Sequence, residues 1–340
     1  MSQNFSVTTH LFSIAPMMDW TDRHCRYLHR LIFPKAALYT EMVHSGAILR
    51  GDTHRFLQYH SAEHPVILQL GGNDAQHLAQ ASAIAEQYGY DEVNLNVGCP
   101  SDRVQSGAFG ACLMRTPDVV VQAMQAMQTA VDLPVTVKCR LAVDNMPEQE
   151  TLYRFVDQLA RVGVNHFIVH ARKAWLQGLS PKENREVPPL NYALVYALKR
   201  DYPELTITLN GGVQSVEEIH QHLNHVDGVM VGRAVYHDPY RFIKINALSD
   251  SGQLSRREIF DQYCEYAEQQ LEQGIYLRHL IKPLLGLYNG QPGARRWRRY
   301  LSEQVATLAP SSTPQPGHSA SDVKAAMTIL KQSQELLTHG

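Results

Sequence analysis

The segment Glu92–Pro100, EVNLNVGCP, carries the reading of the fold. Val93, Leu95 and Val97 alternate in it with Asn94 and Asn96, and a strand shows successive side chains to opposite faces. One face is therefore apolar and the other carries amides. That pattern suits a barrel strand, whose outer face packs on helices while its inner face points to the centre. Glycine, cysteine and proline then end the strand and lead into a second loop stretch, SDRVQSGAFGA (101–111).

Seven further short apolar segments flank this one: FSIAPM (12–17), ALYTEM (37–42), PVILQL (65–70), PVTVKCR (134–140), HFIVHA (166–171), TITLNGG (206–212) and GVMVGR (228–233). Between most of them run helical patterns such as DAQHLAQASAIAEQYG (74–89) and PDVVVQAMQAMQTAV (117–131), punctuated by proline or glycine. Eight strands each followed by a helix predict a TIM (β/α)8 barrel over residues 1–247. A doubly wound sheet would need a glycine-rich loop after its first strand, and APMMDWTD (15–22) is not one. After about Ala247 the strands stop. Four helical patterns follow, with APSSTPQPGHSA (309–320) as a loop before the last, so residues 248–340 read as a smaller all-helical domain.

The same alternation places Thr136, Lys138 and Arg140 inward, with Val135, Val137 and Cys139 outward. Gln69, His170 and Asn210 also fall inward at the ends of their strands. TIM barrels build their active sites at that C-terminal face. One inward histidine or asparagine is ordinarily a satisfied core group, but five polar residues at one rim point to a site. A buried lysine is costly alone, so Lys138 requires a negative partner. NGG (Asn210, Gly211, Gly212) and GR (Gly232, Arg233) end the last two strands, where this fold commonly binds phosphate through close backbone N–H groups. Cys99 is a small hydrophobe by default. Its place at the rim argues instead for a thiol that meets substrate, as a proton donor or, given a base, a nucleophile.

Composition sets the limits. The chain has 340 residues, 44% of them hydrophobic, enough for a full core. It shows neither a membrane-length apolar run nor a signal sequence, which leaves a cytoplasmic protein as the expectation. Five cysteines, never spaced as CxxC, give no disulfide framework or zinc site. Net charge is −2, yet Gly274–Leu301 holds six basic residues and no acidic one. Within it Arg295, Arg298 and Arg299 share a helix face suited to phosphates, while Trp297 turns toward the domain's own core.

The stretches APMMDWTDRHCR, YTEM, LQLGG, NLNVGCPSDRVQ, GACLM, VTVKCR, HARKAWLQGLSPKENR, NGG, MVGR and PGARRWRRYLS together resemble the tRNA-dihydrouridine synthases, specifically the A-type bacterial group acting at positions 20/20a of the D-loop. The likeness covers about residues 12–305. It implies a flavin-binding TIM barrel with a helical tRNA-binding domain, FMN as cofactor, NADPH as reductant, tRNA as partner, and neither membrane nor protein partner. FMN contacts would fall on Pro16, Met17, Met18, Gln69, Lys138, His170, Asn210, Gly211, Gly212, Gly232 and Arg233. Cys99 would give the proton to uracil C5 as hydride passes from FMN N5 to C6. Asn96 would touch the target uridine, and Lys182, Arg185, Arg295 and Arg298 would orient the tRNA. A flipped uridine would enter the barrel mouth under the 101–111 loop. The barrel alone also admits a small-molecule ene-reductase or dihydroorotate-type dehydrogenase, or an inactive RNA-binding protein. The basic helical domain speaks against the first and the presence of Cys99, Lys138 and His170 against the second.

Overall fold

The computed structural model describes residues 10–101, 104, 107–249, 252–308 and 319–338. Asp102, Arg103, Gln105 and Ser106 of the loop after Cys99, and residues 309–318 of the loop before the last helix, lie outside the described residues. Nine parallel strands run in chain order: β1 Phe12–Ile14, β2 Ala37–Tyr39, β3 Val43–His44, β4 Val66–Gly71, β5 Glu92–Val97, β6 Val135–Arg140, β7 His166–His170, β8 Thr206–Asn210 and β9 Gly228–Val231. Each of β4 to β9 pairs with the next, β9 pairs with β1, β1 with β2, and β2 with β4, which closes the ring. Eight strands thus form the expected TIM barrel. The ninth, β3, hangs on β4 through Val43↔Leu70 and His44↔Gly71. Two residues are too few to show a period, so nothing in the residue pattern marks it as a strand.

Helices α1 Arg23–Ile32, α2 Ser45–Arg50, α3 Thr53–Leu57, α4 Ala75–Gln87, α5 Pro117–Ala130, α6 Glu148–Ala160, α7 Tyr192–Asp201 and α8 Val216–Leu223 occupy the connections. Their starts follow local chemistry. Asp74 accepts the His77 N–H at 2.8 Å and Ser215 the Glu218 N–H at 3.2 Å, each satisfying a donor the first turn leaves free. Pro117 opens α5, where a missing N–H costs nothing.

Strand register decides which side chains share the barrel interior. Gln69, Asn94 and Thr136 are partners across β4, β5 and β6. Asn96 pairs with Lys138, and Arg140, His170 and Asn210 are partners across β6, β7 and β8. Ala15, Ala37, Tyr39, Ile67, Ile168 and Met230 form an apolar cluster within the same barrel. Polar groups fill much of the remaining interior, and every one of them requires a partner.

The chain divides into two compact units, Met1–Arg23 with Lys35–Gly232, and His24–Pro34 with Arg233–Gly340. The second unit therefore takes in α1 as well as α9 Arg233–His237, α10 Arg256–Glu272, α11 Leu277–Leu284, α12 Ala294–Thr307 and α13 Ala320–Thr338. Tyr27 of α1 stacks on Tyr266 of α10 at 3.8 Å between centroids, and His24 Nδ1 lies 2.7 Å from the Tyr266 hydroxyl. Ser255 and Glu258 form a capping box at the start of α10. Trp297 is fully buried between Phe260 and Tyr288, its indole N–H donating to Ser333 Oγ at 3.0 Å. A Trp held at both its apolar body and its polar edge anchors α12 and leaves the helix's arginines to the outside. No helix among the described residues is long and apolar enough to cross a membrane.

Candidate active site

At the C-terminal end of the barrel strands stand Gln69 on β4, Asn96 on β5, Lys138 on β6, His170 on β7 and Asn210 on β8. Pro16, Met17 and Met18 follow β1, and Gly211, Gly212 and Gly232 follow β8 and β9. The fold thus brings all of these to one rim, with Cys99 directly after β5. Met17 pins its loop: its N–H donates to Thr21 Oγ1 at 2.9 Å, and its carbonyl accepts the Trp20 and Thr21 N–H groups at 3.1 and 3.0 Å.

Cys99 is half-exposed, and two contacts fix its backbone. Asn96 Oδ1 accepts the N–H groups of Gly98 and Cys99 at 3.1 and 3.0 Å, and the Cys99 carbonyl accepts the Ala111 N–H at 2.9 Å. The chain can return this closely because residue 110 is glycine. Its φ is 73°, and a Cβ there would lie 2.6 Å from the Cys99 carbonyl oxygen. Three of the other thiols are poorly placed for chemistry. Burial pushes those of Cys139 and Cys264 up to about 12, and the half-buried Cys112 is also raised, its Sγ donating to the Phe109 carbonyl at 3.0 Å.

Below Cys99 a continuous chain of hydrogen bonds descends through the barrel. Asn96 Nδ2 donates to Gln69 Oε1 at 2.9 Å, Gln69 Nε2 to Asn94 Oδ1 at 2.8 Å, and Asn94 Nδ2 to Thr136 Oγ1 at 2.9 Å. Thr136 then donates to Glu92 Oε1 at 2.5 Å, and Tyr39 reaches the same oxygen at 3.4 Å. Burial raises the Glu92 carboxyl to about 7, against the pull of the Thr136 and Tyr39 hydroxyls. Glu92 and this chain were not anticipated as a unit, although Glu92 shares the two-residue phase of Asn94 and Asn96.

Lys138 is 9% exposed, and among the described residues no carboxylate or other acceptor reaches its ammonium. Burial, and next Arg140, lower it to about 8. His170 is also 9% exposed, and its Nε2 is buried without a partner. Burial first, then Arg140, Lys138, Arg172 and Arg185, push it well below the usual histidine range, so it is neutral. Four cations thus crowd one imidazole. Beside it, Gly211 and Gly212 have φ of 109° and 78°, and a Cβ on Gly211 would come within 2.9 Å of His170 Nε2. An uncompensated ammonium, an orphaned ring nitrogen and backbone bared by glycine fit an anionic ligand with several hydrogen-bonding atoms.

Two further residues organise the loop after β7: Asn184, for which the sequence carries no periodic signal, and the inward-facing Arg140. Asn184 is fully buried; its Oδ1 accepts the Trp175 N–H at 2.7 Å and its Nδ2 donates to the Trp175 and Leu179 carbonyls at 2.8 and 3.1 Å. Arg140 donates through Nε to the Gly98 carbonyl at 3.1 Å and through a terminal nitrogen to the Asn184 carbonyl at 2.9 Å. It therefore ties the strand end before Cys99 to the loop carrying Lys182 and Arg185. Lys182 is exposed and Arg185 half-buried, at either end of the turn Glu183–Arg185. Arg295 and Arg298 sit in the second unit, on α12. Arg296 is held by the Leu336 carbonyl at 3.0 Å and Arg299 by Glu303 at 3.6 Å, whereas no protein group among the described residues holds Arg295 and only Asn289, at 3.4 Å, holds Arg298.

A closed parallel barrel with its polar residues at the C-terminal rim defines a (β/α)8 enzyme scaffold. The model of the dihydrouridine synthase (Dus) family matches residues 13–317. A tRNA-dihydrouridine(20/20a) synthase of Xanthomonas campestris is 54% identical over 292 residues, covering 86% of this chain and 87% of that one. Its namesake from Shewanella oneidensis is 54% identical over 299 residues, 86% and 88% of the two chains, and that of Yersinia pestis 49% over 336 residues, 95% and 92%. The chain belongs to the dihydrouridine synthase family, whose members are oxidoreductases.

Proposed function

We propose that the protein reduces uridine to 5,6-dihydrouridine in tRNA, at positions 20 and 20a of the D-loop, in the cytoplasm, with bound FMN and with NADPH as reductant. The observation that carries this is the buried Lys138, whose ammonium no carboxylate among the described residues reaches, beside a neutral His170 and next to the half-exposed Cys99. Its setting is a family whose relatives bear the tRNA-dihydrouridine(20/20a) synthase name.

FMN, when bound, supplies the hydride for uracil C6 once NADPH has reduced it. Lys138 would hold the negative charge of such a cofactor, in a site where burial strengthens the interaction. His170, Gln69 and Asn210 offer hydrogen bonds to the ring, with Pro16, Met17 and Met18 on the opening loop. Gly211, Gly212 and Gly232 would allow backbone N–H groups to approach its phosphate, with which Arg233 would pair. The Cys99 thiol gives a proton to uracil C5. Asn96 has one amide hydrogen left after its bond to Gln69, enough to touch the uracil while its oxygen holds Cys99 in place.

Mass mapping of tRNA from cells lacking the gene should show dihydrouridine missing at positions 20 and 20a alone; its retention there would remove the reading. Arg233→Ala should weaken FMN binding about 10- to 100-fold, the loss of one charge-assisted bond worth roughly 1.5–3 kcal/mol, read by titration of the visible flavin absorbance. Unaltered affinity would take Arg233 out of the phosphate site. Arg295→Ala with Arg298→Ala should weaken tRNA binding and lower its log–log salt slope by at most about two, each lost phosphate contact removing roughly 0.7–0.9. Wild-type affinity and slope would mean that α12 is not an RNA surface.

A further inference from the structure

A cleft of about 570 Å³ opens at the same end of the barrel, and Cys112, Arg115, Asp144, Asn145, Trp175 and Gln177 are among its lining residues. None of the residues assigned above to flavin or uracil lines it, and it lies wholly within the barrel unit. Its walls come from the loops that follow β5, β6 and β7, the strands whose ends carry Cys99, Lys138 and His170.

The cleft is a built feature. Asp144 has φ 48°, a left-handed conformation that costs a residue with a Cβ and needs neighbours to hold it. Its N–H donates to the Ala174 carbonyl at 2.8 Å, its Oδ1 accepts the Leu176 N–H at 2.9 Å, and its second oxygen pairs with Arg115. Asn184 clamps the backbone of Trp175 on both sides. The Trp175 side chain, by contrast, is half-exposed and its indole N–H has no hydrogen-bond partner among the described residues. A large aromatic ring on a rigid backbone, left open beside exposed amides at Asn145 and Gln177, suits a flat heteroaromatic ring with polar edges.

We propose that this cleft receives a nucleotide adjoining the target uridine in the RNA, its base stacked on Trp175 and its edge read by Asn145 and Gln177. The inference rests on the tRNA-reducing function proposed above. Turning one base out of a folded RNA strips its neighbours of a stacking partner, and proteins that read single-stranded RNA commonly replace that partner with an aromatic side chain. The volume is that of a small-ligand pocket and accommodates one nucleotide. Residues 171–186 carry Arg172, Lys173, Lys182 and Arg185 against Glu183 and Glu186, a surplus of positive charge for the backbone on either side. A dinucleotide reductant is the poorer fit. Its diphosphate needs an available cation, and Arg115, the cationic side chain among the lining residues, is already paired with Asp144.

The test uses tRNA with the target uridine intact and the base removed from the nucleotide on its 5′ or its 3′ side. One of the two abasic tRNAs should raise the KM of the wild-type enzyme about 5- to 100-fold, the range for a lost base–aromatic stack, with kcat kept. Trp175→Ala should raise the KM for intact tRNA by the same factor and show no further loss on that abasic tRNA, while Trp175→Phe restores most of the affinity. Full KM on both abasic tRNAs, losses that multiply in Trp175→Ala, or a raised KM for NADPH in tRNA-free flavin reduction would overturn the inference. A wild-type enzyme that forms no dihydrouridine in intact tRNA would overturn the function itself, and this inference with it.

Discussion

Cys99→Ala is expected to lower dihydrouridine formation about 100-fold or more, the range for a lost general acid. FMN content and the rate at which NADPH reduces the flavin should stay near normal, because the backbone around residue 99 is held by Asn96 and Ala111 and not by the thiol. Cys139→Ala and Cys264→Ala serve as controls. Both thiols are buried and pushed up to about 12, so neither should slow the proton step beyond what lost packing costs. Stopped-flow traces of the two half-reactions separate the cases. Equal losses in all three variants, or full turnover in Cys99→Ala, would strip Cys99 of its role.

The second large effect is a trade between stability and activity at Lys138. Its ammonium is lowered to about 8 from the 10.5 of a free lysine, so at neutral pH the ligand-free protein bears a buried charge at a cost of about 3 kcal/mol. The sign follows from proton counting. Between about 8 and 10.5 the unfolded chain keeps a proton that the folded chain has released, so stability rises with pH across that window and is lost as pH falls through 8. Lys138→Met should therefore make the ligand-free protein more stable at pH 7 and remove this part of its pH dependence. The same variant should lose about 100- to 1,000-fold in uridine reduction, as when a preorganised donor is removed from a reacting centre. Denaturant titrations of both proteins at pH 7 and pH 10 measure the first effect. A variant no more stable than wild type would mean that Lys138 carries no penalty for a ligand to relieve.

Much of the candidate site's placement is legible in the sequence because a two-residue period leaves no choice of face. Once Val93, Leu95 and Val97 pack outward, Asn94 and Asn96 must point in, and the same logic located Gln69, Lys138, His170 and Asn210. The same period turns Arg140 inward, but its clasp on Gly98 and Asn184 joins residues 42 and 44 positions apart, and no periodic signal encodes that. Asn184 lies in an irregular loop, where an asparagine looks like any turn former. Arg172 has no such excuse: it stands two residues after His170, and its nearness follows from the chain itself. The membership of α1 in the second unit rests on Tyr27 and His24 meeting Tyr266, about 240 residues away in sequence, a fact of tertiary packing only.

The chain from Cys99 down to Glu92 has a property that a count of its bonds would miss, because every donor in it points the same way. The backbone N–H groups at the top give to Asn96, and each later side chain passes its own hydrogen one step further toward the carboxylate. Amides and hydroxyls can be reversed in place, but the backbone N–H groups cannot, so the top dictates the sense of everything below it, and Glu92, raised to about 7, enforces the same sense from the foot when it is ionised. With Glu92 ionised the interior therefore behaves like a row of compass needles fixed at both poles. A single reversed amide would set two oxygens or two NH2 groups face to face, and the fault could leave only by reversing every residue up to an end that does not turn. Substitutions along this column should consequently be inherited as sets, with an acceptor at the foot matched by a donor above it, long after the apolar lining around them has drifted.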